Sequence, residues 1–278
     1  MWKFTNIPKK AHFYWGASPL PLSRYLTLLS FRRQNPDWEM LLHRPTCDQA
    51  NGKVYASEYT GRCFMDEASK ICDIEYLDFG WLSGMWDVHK SDLIRWHLLR
   101  KVGGIWSDMD IFYIKPMSEL RVDGIVSGSE VELILCYSDP LHHHSIGLIG
   151  SSIEQREMVE ISSSCGTKLI ADKFQCIGSD MLYEVGINCK YMLTNFPRIA
   201  NLNFFSIYQC GTSGIQMLHD KRIPRYNRDA ILGVHWYAGS EHSLPFQNAR
   251  NIEEIANLGS FMSKLVVEAG YDDELLGS

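Results

Sequence analysis

Short apolar runs alternate with helical patterns along most of the chain. The first run, KAHFYWG, predicts a strand that ends in a glycine turn, and WEMLLHRP predicts a second short strand. Between them, SRYLTLLSFRRQNPDW carries apolar residues at helical spacing, with Ser23 as the expected N-cap and Pro36 as the expected stop. This strand–helix–strand order is typical of a layered α/β domain.

The best-defined helical pattern is KSDLIRWHLLRKVGG. Ser91 is the expected N-cap, Asp92 suits the positive amino end of the helix, and Gly103 suits the left-handed turn that follows it. We expect a strand to begin at Ile105 and to end at Pro116. Two aspartates lie within this predicted strand.

The second half of the chain continues the alternation. GIVSGSEVELILCYS and SIGLIGSS predict buried strands, and ILGVHWYAGS predicts a late strand that leads into a loop. Helices are predicted over 153–163 and 178–186, and NIEEIANLGSFMSKLVVEAG predicts an amphipathic closing helix. We therefore expect one α/β domain with a mixed central sheet flanked by helices.

Composition narrows the class of protein. The 278 residues are 45 % hydrophobic and 22 % charged, as in soluble globular enzymes. A net charge of −6 without a long basic run argues against binding to nucleic acid. The sequence contains no apolar stretch near the ~20 residues of a membrane span. Eight cysteines without a CxxC pair indicate free thiols, so we expect a cytoplasmic protein.

The segment KVGGIWSDMDIFYIKP places Asp108 and Asp110 among apolar and aromatic residues. On a strand, residues two apart point to the same side, so the pair could present its oxygens to a divalent cation whose shell is completed by substrate phosphates. A D-x-D tripeptide also fits surface carboxylates. Asp92 and Arg95, three residues apart on the preceding helix, fit either a functional pair or an ion pair on a solvated face.

Over KSDLIRWHLLRKVGGIWSDMDIFYIKP the sequence closely resembles the S-D-x-x-R…L…x-G-G-x-[YW]-x-D-x-D segment of glycosyltransferases whose sugar-binding region contains the DXD motif. That family includes bacterial capsule and polysaccharide transferases and yeast mannosyltransferases, and the pattern recurs in clostridial glucosylating toxins. IPKKAHFYWGASPLP resembles the family's N-terminal strand, and GVHWYAGS resembles its late HHW-x-GS motif. CIGSDML lies where relatives carry a TGP-like turn, from which Ser179 and Asp180 depart.

The resemblance implies a GT-A type nucleotide-sugar-binding fold in a single domain, 1–278. Its expected parts are a nucleotide-sugar-binding half (1–115), an acceptor and metal half (116–240) and a closing segment (241–278). The implied activity is retaining, metal-dependent transfer of a sugar from a nucleotide-diphosphate donor to a hydroxyl acceptor, with a glycan as the first choice. A UDP-sugar is favoured over a GDP-sugar, and the implied cofactor is Mn²⁺ or Mg²⁺.

The family pattern also implies roles for individual residues. Asp110 would ligate the metal directly, and Asp108 would bind the ribose or sugar and reach the metal through water. Asp92 and Arg95 would hydrogen-bond the donor sugar's hydroxyls and help to place the diphosphate. Trp15 would stack on the nucleotide base, although the position also suits a core tryptophan.

Later motifs add weaker candidates. His235 would approach the metal or diphosphate, and Gly239 and Ser240 would contact the β-phosphate. Retention requires either a covalent intermediate or a front-side substitution. The sequence does not single out a nucleophile, and Asp180 is the first carboxylate to test. In LHHHS the three consecutive histidines fit a polar loop better than a metal site.

Three alternatives stay open at this stage. A nucleotidyltransferase also uses paired aspartates, but YWGASPLPLSR has one glycine and no lysine, so it lacks the glycine-rich basic loop of that class. A non-catalytic sugar- or metal-binding module would use the same carboxylates and aromatics. The net negative charge argues against a transferase that acts on DNA bases. Acceptor contacts are expected in loops around 46–62, 138–145 and 241–250.

Overall fold

The computed structural model describes residues 3–46, 56, 59–80, 84–123, 130–137, 144–171, 173–184, 198–202, 207–208, 212–221 and 228–272. The strands are β1 (Lys10–Tyr14), β2 (Glu39–Pro45), β3 (Asp73–Leu77), β4 (Gly104–Ser107), β5 (Ile111–Tyr113), β6 (Val122–Asp123), β7 (Leu133–Tyr137), β8 (His144–Ser151), β9 (Ile199–Leu202), β10 (Ile207–Tyr208) and β11 (Gly233–His235). The α-helices are α1 (Leu22–Gln34), α2 (Met65–Ala68), α3 (Asp87–Lys101), α4 (Arg156–Lys168), α5 (Ser179–Glu184), α6 (Thr212–His219), α7 (Leu244–Asn248), α8 (Ile252–Leu258) and α9 (Phe261–Glu268). Short 3-10 helices cover Met117–Glu119 and Glu241–Ser243.

A central sheet of eight strands runs in the order β3-β2-β1-β4-β8-β7-β9-β6. The first four are parallel, whereas β8 is antiparallel to both β4 and β7. A second sheet joins β10, β11 and β5. The predicted mixed α/β sheet with flanking helices is therefore confirmed, as are the predicted strands KAHFY, EMLLHRP and GVH.

The central sheet is covered on both faces by apolar residues. Phe13 of β1 packs in the core cluster that includes α1, and its neighbour Tyr14 packs in the cluster that includes α3 and α4. This alternation is what a strand produces when both of its faces are buried. The parallel strands β1 and β4 end at the same edge of the sheet, where ligands bind in open α/β folds.

Two predicted helix starts are wrong. Helix α1 begins at Leu22 after Pro21, so Ser23 lies within its first turn and its side chain does not cap the helix. Helix α3 begins at Asp87 after Trp86, four residues before the predicted cap Ser91. Asp87 already supplies the negative charge that favours a helix amino end, which allows the helix to start earlier.

The strand predicted from Ile105 to Pro116 is also wrong. It is two strands, β4 and β5, which pair in different sheets, and Asp108 to Asp110 form the corner between them. Because β4 pairs with β1 and β8 while β5 pairs with β11, the chain must bend at this corner. Asp108 and Asp110 therefore do not share one side of a strand, contrary to the prediction.

The remaining helices differ from prediction mainly at their ends. The helices predicted over 153–163 and 178–186 are α4 and α5. The closing helix is two helices, α8 and α9, because Gly259 takes a left-handed conformation (φ 62°) and Ser260 starts the second by accepting a hydrogen bond from the amide of Ser263. Of the helices in the described ranges, none is both long and apolar enough to cross a membrane.

Candidate functional site

The corner between β4 and β5 carries both aspartates of the motif. The amide of Asp108 donates to the carbonyl of Gly147 on β8 over 2.7 Å, which continues the pairing of β4 with β8 beyond the strand. Thr27 of α1 donates from its hydroxyl to the carbonyl of Met109 over 3.0 Å. A Cβ at residue 147 would lie only 3.3 Å from Oδ2 of Asp108, so the absence of a side chain on Gly147 leaves room for the carboxylate.

Arg95 joins two carboxylates in one buried cluster. Its Nη1 lies 3.0 Å from Oδ1 of Asp92, and its Nη2 donates to Oδ1 of Asp108 over 2.7 Å. The indole N–H of Trp106 donates to the same oxygen of Asp108 over 2.9 Å, and the guanidinium lies 4.9 Å from the Trp106 ring. The side chains of Asp92 and Arg95 are only 1 % and 3 % exposed, so the pair does not belong to a solvated helix face.

Asp92 is the most unusual acid of this cluster. Burial raises its pKa to about 7; Arg95 opposes that shift and the nearby charge of Asp108 adds to it. Among the described residues, Oδ2 of Asp92 and Nε of Arg95 are buried without a hydrogen-bond partner. The backbone of Gly178 passes close by, since a Cβ there would lie 2.9 Å from Oδ2 of Asp92. Nη1 of Arg95, although paired in charge with Asp92, is also without a hydrogen bond, so the described contacts leave part of the hydrogen-bonding capacity of this cluster unused.

Asp110 belongs to a second cluster, built with β11 and the turn after it. The Nε2–H of His235 lies 3.1 Å from Oδ1 of Asp110, and the amide of Ala238 donates to Oδ2 over 2.9 Å. Burial opposes ionisation of Asp110, but the charge of His235 outweighs it and lowers the pKa of Asp110 below its usual range. Burial lowers the pKa of His235, and the charge of Asp110 raises it. The net effect is a rise.

The His235 ring is held from its other side by Tyr237. The two rings stack with their centroids 4.1 Å apart, and Tyr237 has a left-handed backbone (φ 55°), which is rare for an aromatic residue. The Nδ1 of His235 is buried without a hydrogen-bond partner among the described residues. Backbone strain and an unsatisfied ring nitrogen are features of functional sites.

The predicted site residues fall into different groups. The structure brings Asp92, Arg95 and Asp108 into contact, and it brings Asp110 into contact with His235. Gly239 and Ser240 follow in the turn after Ala238. A Cβ on Gly239 would meet nothing within 4 Å, and the hydroxyl of Ser240 accepts from the amide of His242, so its side chain already caps the next turn.

The prediction that Trp15 stacks on a nucleotide base does not fit the structure. Its side chain is 1 % exposed, and its indole N–H donates to the carbonyl of Ser18 over 3.0 Å. The guanidinium of Arg24 lies 5.2 Å from the Trp15 ring. Trp15 is therefore a core residue here, the alternative that the sequence also allowed.

Asp180 does not touch either cluster in the described contacts. Its carboxylate lies 3.0 Å from Nζ of Lys173, and both side chains are well exposed. Its role as a nucleophile stays a prediction. The side chains of His142, His143 and His144 lie outside the described residues, as does much of the loops predicted around 46–62 and 138–145.

Sequence reasoning missed three residues of the site. Trp106 binds Asp108, Tyr237 stacks on His235, and Arg24 lies between Trp15 and Trp236 with its charge near Asp110. An arginine in the otherwise uncharged first turns of α1 was a signal for Arg24. The other two contacts each join residues only two apart in sequence, so they depend on the local backbone at the β4–β5 corner and in the turn after β11.

The side chains at the corner include possible ligands of a divalent cation. No group of three or more His, Cys, Asp or Glu side chains in the described ranges is arranged to hold a metal ion. Two carboxylates at one corner, with an imidazole beside the second, nevertheless suit a hard cation whose shell is completed by phosphate oxygens and water. Asp108 remains 29 % exposed, so its carboxylate is accessible to such a ligand. Such a cation could take oxygen donors from these carboxylates, and the rest of its shell would have to come from substrate and water.

Part of the chain matches a known protein family. Residues 24–130 match the family described as "Glycosyltransferase sugar-binding region containing DXD motif". This span contains α1, α3 and the corner with both aspartates, so the resemblance drawn from the motif is confirmed over it. No curated protein sequence matches the chain.

Solved glycosyltransferases are among the structural neighbours. PaToxG glycosyltransferase is 16 % identical, with a TM-score of 0.47 over 68 % of this chain and 73 % of that one. The galactosyltransferase LgtC, in complex with donor and acceptor sugar analogs, is 8 % identical, with a TM-score of 0.40 over 72 % and 75 %. A glycosyltransferase involved in the glycosylation of the major capsid of PBCV-1 is 9 % identical, with a TM-score of 0.42 over 84 % and 96 %. All three superpositions are partial.

Proposed function

We propose that the protein is a metal-dependent glycosyltransferase that moves a sugar from a nucleotide-diphosphate donor to a hydroxyl acceptor. A UDP-sugar is the first choice of donor, a GDP-sugar the second, and a glycan the first choice of acceptor. The observation that supports this most is the buried Asp92–Arg95–Asp108 cluster at the carboxyl end of the sheet, within the segment that matches the DXD family. Building such a cluster solely for stability would be costly, because each buried ion loses its hydration.

The Arg95 cluster would bind the donor sugar. A pyranose presents paired hydroxyl groups, which a carboxylate and a guanidinium can each engage with two hydrogen bonds. Arg95 is already held by two carboxylates and the Trp106 ring, so little side-chain freedom is lost when a sugar binds. Asp92 and Arg95 would thereby fix the orientation of the anomeric carbon, which is a large share of catalysis when two substrates must meet.

The two aspartates and His235 would hold Mn²⁺ or Mg²⁺. When bound, such a cation offsets the negative charge that develops on the departing diphosphate. His235 is held beside Asp110 and against the ring of Tyr237. The backbone of Gly239 beyond them is open enough for a phosphate to approach.

The proposal includes retention of anomeric configuration, which the family resemblance implies. Retention by front-side substitution needs no protein nucleophile, because the leaving phosphate takes the proton of the acceptor. Asp180, paired with Lys173, is the carboxylate to test against that route. If Asp180→Asn keeps donor hydrolysis near the wild-type rate, front-side substitution is supported; loss of hydrolysis with unchanged donor binding would support a nucleophile.

The decisive experiment is a panel of UDP- and GDP-sugars incubated with Mn²⁺. Release of nucleoside diphosphate, and its loss with a chelator, would support the proposal. Release of pyrophosphate would indicate a nucleotidyltransferase instead. Glycan binding without nucleotide binding would indicate a non-catalytic sugar-binding module. Asp66→Asn, which changes an exposed carboxylate on α2, is the matched control for variants of the site.

A further inference from the structure

The segment 173–178 lies between α4 and α5 and is held against α3. The Nε2–H of His89, on α3, donates to the carbonyl of Lys173 over 3.0 Å, and Ile177 is buried in the core cluster that includes α3 and α4. Asp92, with its unsatisfied Oδ2, lies on the same helix about one turn further on. The segment and the carboxylate of Asp92 are therefore fixed relative to each other.

Gln175 has a left-handed backbone and a fixed carboxamide. Its φ is 65°, which is uncommon for a residue other than glycine and must be offset by the surrounding contacts. Its Oε1 accepts from the amide of Ser179 over 3.2 Å, and its backbone carbonyl accepts from the amide of Gly178 over 2.9 Å. The first of these contacts identifies the oxygen end of the carboxamide. The opposite end, Nε2, donates no hydrogen bond within the described ranges.

The carboxamide of Gln175 and the carboxylate of Asp92 meet over the backbone of Gly178. A Cβ at residue 178 would lie 2.3 Å from Oε1 of Gln175 and 2.9 Å from Oδ2 of Asp92. The two oxygens are therefore no further apart than these two distances together, and a side chain at residue 178 would push them away. Asp92 is 1 % exposed, and its Oδ2 has no hydrogen-bond partner among the described residues. An unsatisfied acceptor and an unused N–H donor thus lie in the same small region of the site.

We propose that Gln175 completes the sugar subsite: its Nε2–H donates to a hydroxyl oxygen of the donor sugar, and the O–H of the same group donates to Oδ2 of Asp92. This inference rests on the proposed function, since it concerns the same donor. A hydroxyl group donates and accepts through one atom, so it satisfies both partners at once. A carboxylate or phosphate substituent only accepts, and ionised Asp92 repels it. The pair therefore selects a neutral sugar at this position.

The test separates binding of the sugar from binding of the nucleotide. UDP-glucose, UDP-galactose, UDP-N-acetylglucosamine and GDP-mannose are titrated with Mn²⁺ by calorimetry, and the one that the wild type binds most tightly is compared with its free nucleoside diphosphate. Gln175→Glu keeps an oxygen for the amide of Ser179 but replaces the N–H donor with a negative charge beside Asp92. We expect its Kd for the nucleotide sugar to rise about tenfold, and its Kd for UDP or GDP to stay within about twofold of the wild type.

A second variant and a matched control complete the test. Gln175→Gly removes the whole side chain and suits the left-handed backbone, and it should show the same separation of the two Kd values. Gln155→Glu is the control, because Oε1 of Gln155 accepts from the amide of Met158 over 2.9 Å at the start of α4, which is the same role on another helix. It should change neither Kd.

Two results would show that Gln175 does no more than cap α5: a wild-type Kd for the nucleotide sugar in Gln175→Glu, or an equal rise in both Kd values. Either result overturns the inference and leaves the proposed function standing. If the wild type binds none of the four nucleotide sugars, with or without Mn²⁺, the proposed function fails as well.

Discussion

At the scale of single residues, the two aspartates of the motif have different partners. Asp108 is bound by Arg95 and Trp106, whereas Asp110 is bound by His235 and the amide of Ala238. One aspartate is therefore tied to the side of the site that would bind the sugar, and the other to the side that would bind the cation and diphosphate. Substitution of Asp108 should therefore impair binding of the sugar, and substitution of Asp110 should impair binding of the cation and diphosphate.

Asp110→Asn should abolish metal-dependent turnover without unfolding the protein. The amide keeps the shape of the side chain but cannot provide the charge that a divalent cation requires, so we expect a loss of at least about 100-fold in turnover. Nucleoside diphosphate release with Mn²⁺, and circular dichroism for the fold, are the measurements. Asp66→Asn should match the wild type, and wild-type turnover in Asp110→Asn would refute the assignment.

Trp106→Phe tests the indole that holds Asp108. The phenyl ring still lies under Arg95, but the N–H donor to Asp108 is lost, and hydrogen bonds to charged groups contribute about 1.5–3 kcal/mol. We expect the KM for the donor to rise roughly tenfold with a smaller change in kcat. Trp96→Phe is the control, because Trp96 donates instead to the carbonyl of Ile177. An equal effect of both substitutions on KM would show that general packing, not the bond to Asp108, is responsible.

Residue types and spacing predicted much of this chemistry, but not its contacts. Arg95 with its two carboxylates follows from one helix and the corner after it, which lie close in sequence. Tyr237 and Arg24 could not be assigned. Arg24 contacts Trp236, which is far away in the sequence, and the contact of Tyr237 with His235, two residues earlier, depends on the conformation of the turn after β11. Trp15 was assigned to base stacking because the sequence does not show that Arg24 covers its ring.

At the scale of elements, the corner between β4 and β5 decides where the aspartates point. The apolar and aromatic residues around the two aspartates suggested one strand, and that composition does not reveal that β4 pairs with β1 and β8 while β5 pairs with β11. The order of strands and helices was predictable because each has its own periodicity. The corner was not, because it arises from long-range pairing between strands.

Thr27→Val tests how α1 fixes this corner. The valine fills the same volume but removes the hydroxyl that donates to the carbonyl of Met109, and it leaves that carbonyl without this donor. We expect unfolding in urea to show a loss of about 1–3 kcal/mol. Thr27→Ser keeps a hydroxyl and should recover most of the stability; equal losses in both variants would mean that the methyl group, not the hydrogen bond, matters.

At the scale of the whole molecule, the site depends on segments from both ends of the chain. Asp92, Arg95 and Asp108 precede β5, whereas His235 and Ala238 come from β11 and the turn after it. The family match ends at residue 130, so His235 and Ala238, which contact Asp110, lie beyond it. The single domain expected over 1–278 stays a prediction, and the pairing of β5 with β11 supports it because this pairing joins early and late segments.

A buried histidine pair makes the stability of the molecule depend on pH. On β1, Nε2 of His12 lies 3.0 Å from the carbonyl of Gly103, so it carries the proton, and Nδ1 of His12 accepts from Nε2–H of His43 on β2 over 3.0 Å. His12, which accepts at Nδ1, is therefore neutral. Burial lowers the pKa of His12 to about 4 and that of His43 to about 3. The half-exposed carboxylate of Glu75 lies 3.1 Å from Nδ1 of His43.

The sign of the effect follows from proton linkage. Both histidines have folded-state pKa values below the unfolded value of about 6.5, so the unfolded chain binds more protons as the pH falls. Stability should be greatest above pH 6.5 and should fall by a few kcal/mol between pH 6.5 and 4. Urea unfolding at pH 7.5, 6 and 5 measures it. His12→Gln should be less stable at pH 7.5 but should show a shallower decline, whereas the exposed His242→Gln should follow the wild type. A decline of the same slope in His12→Gln would assign the pH dependence to other groups.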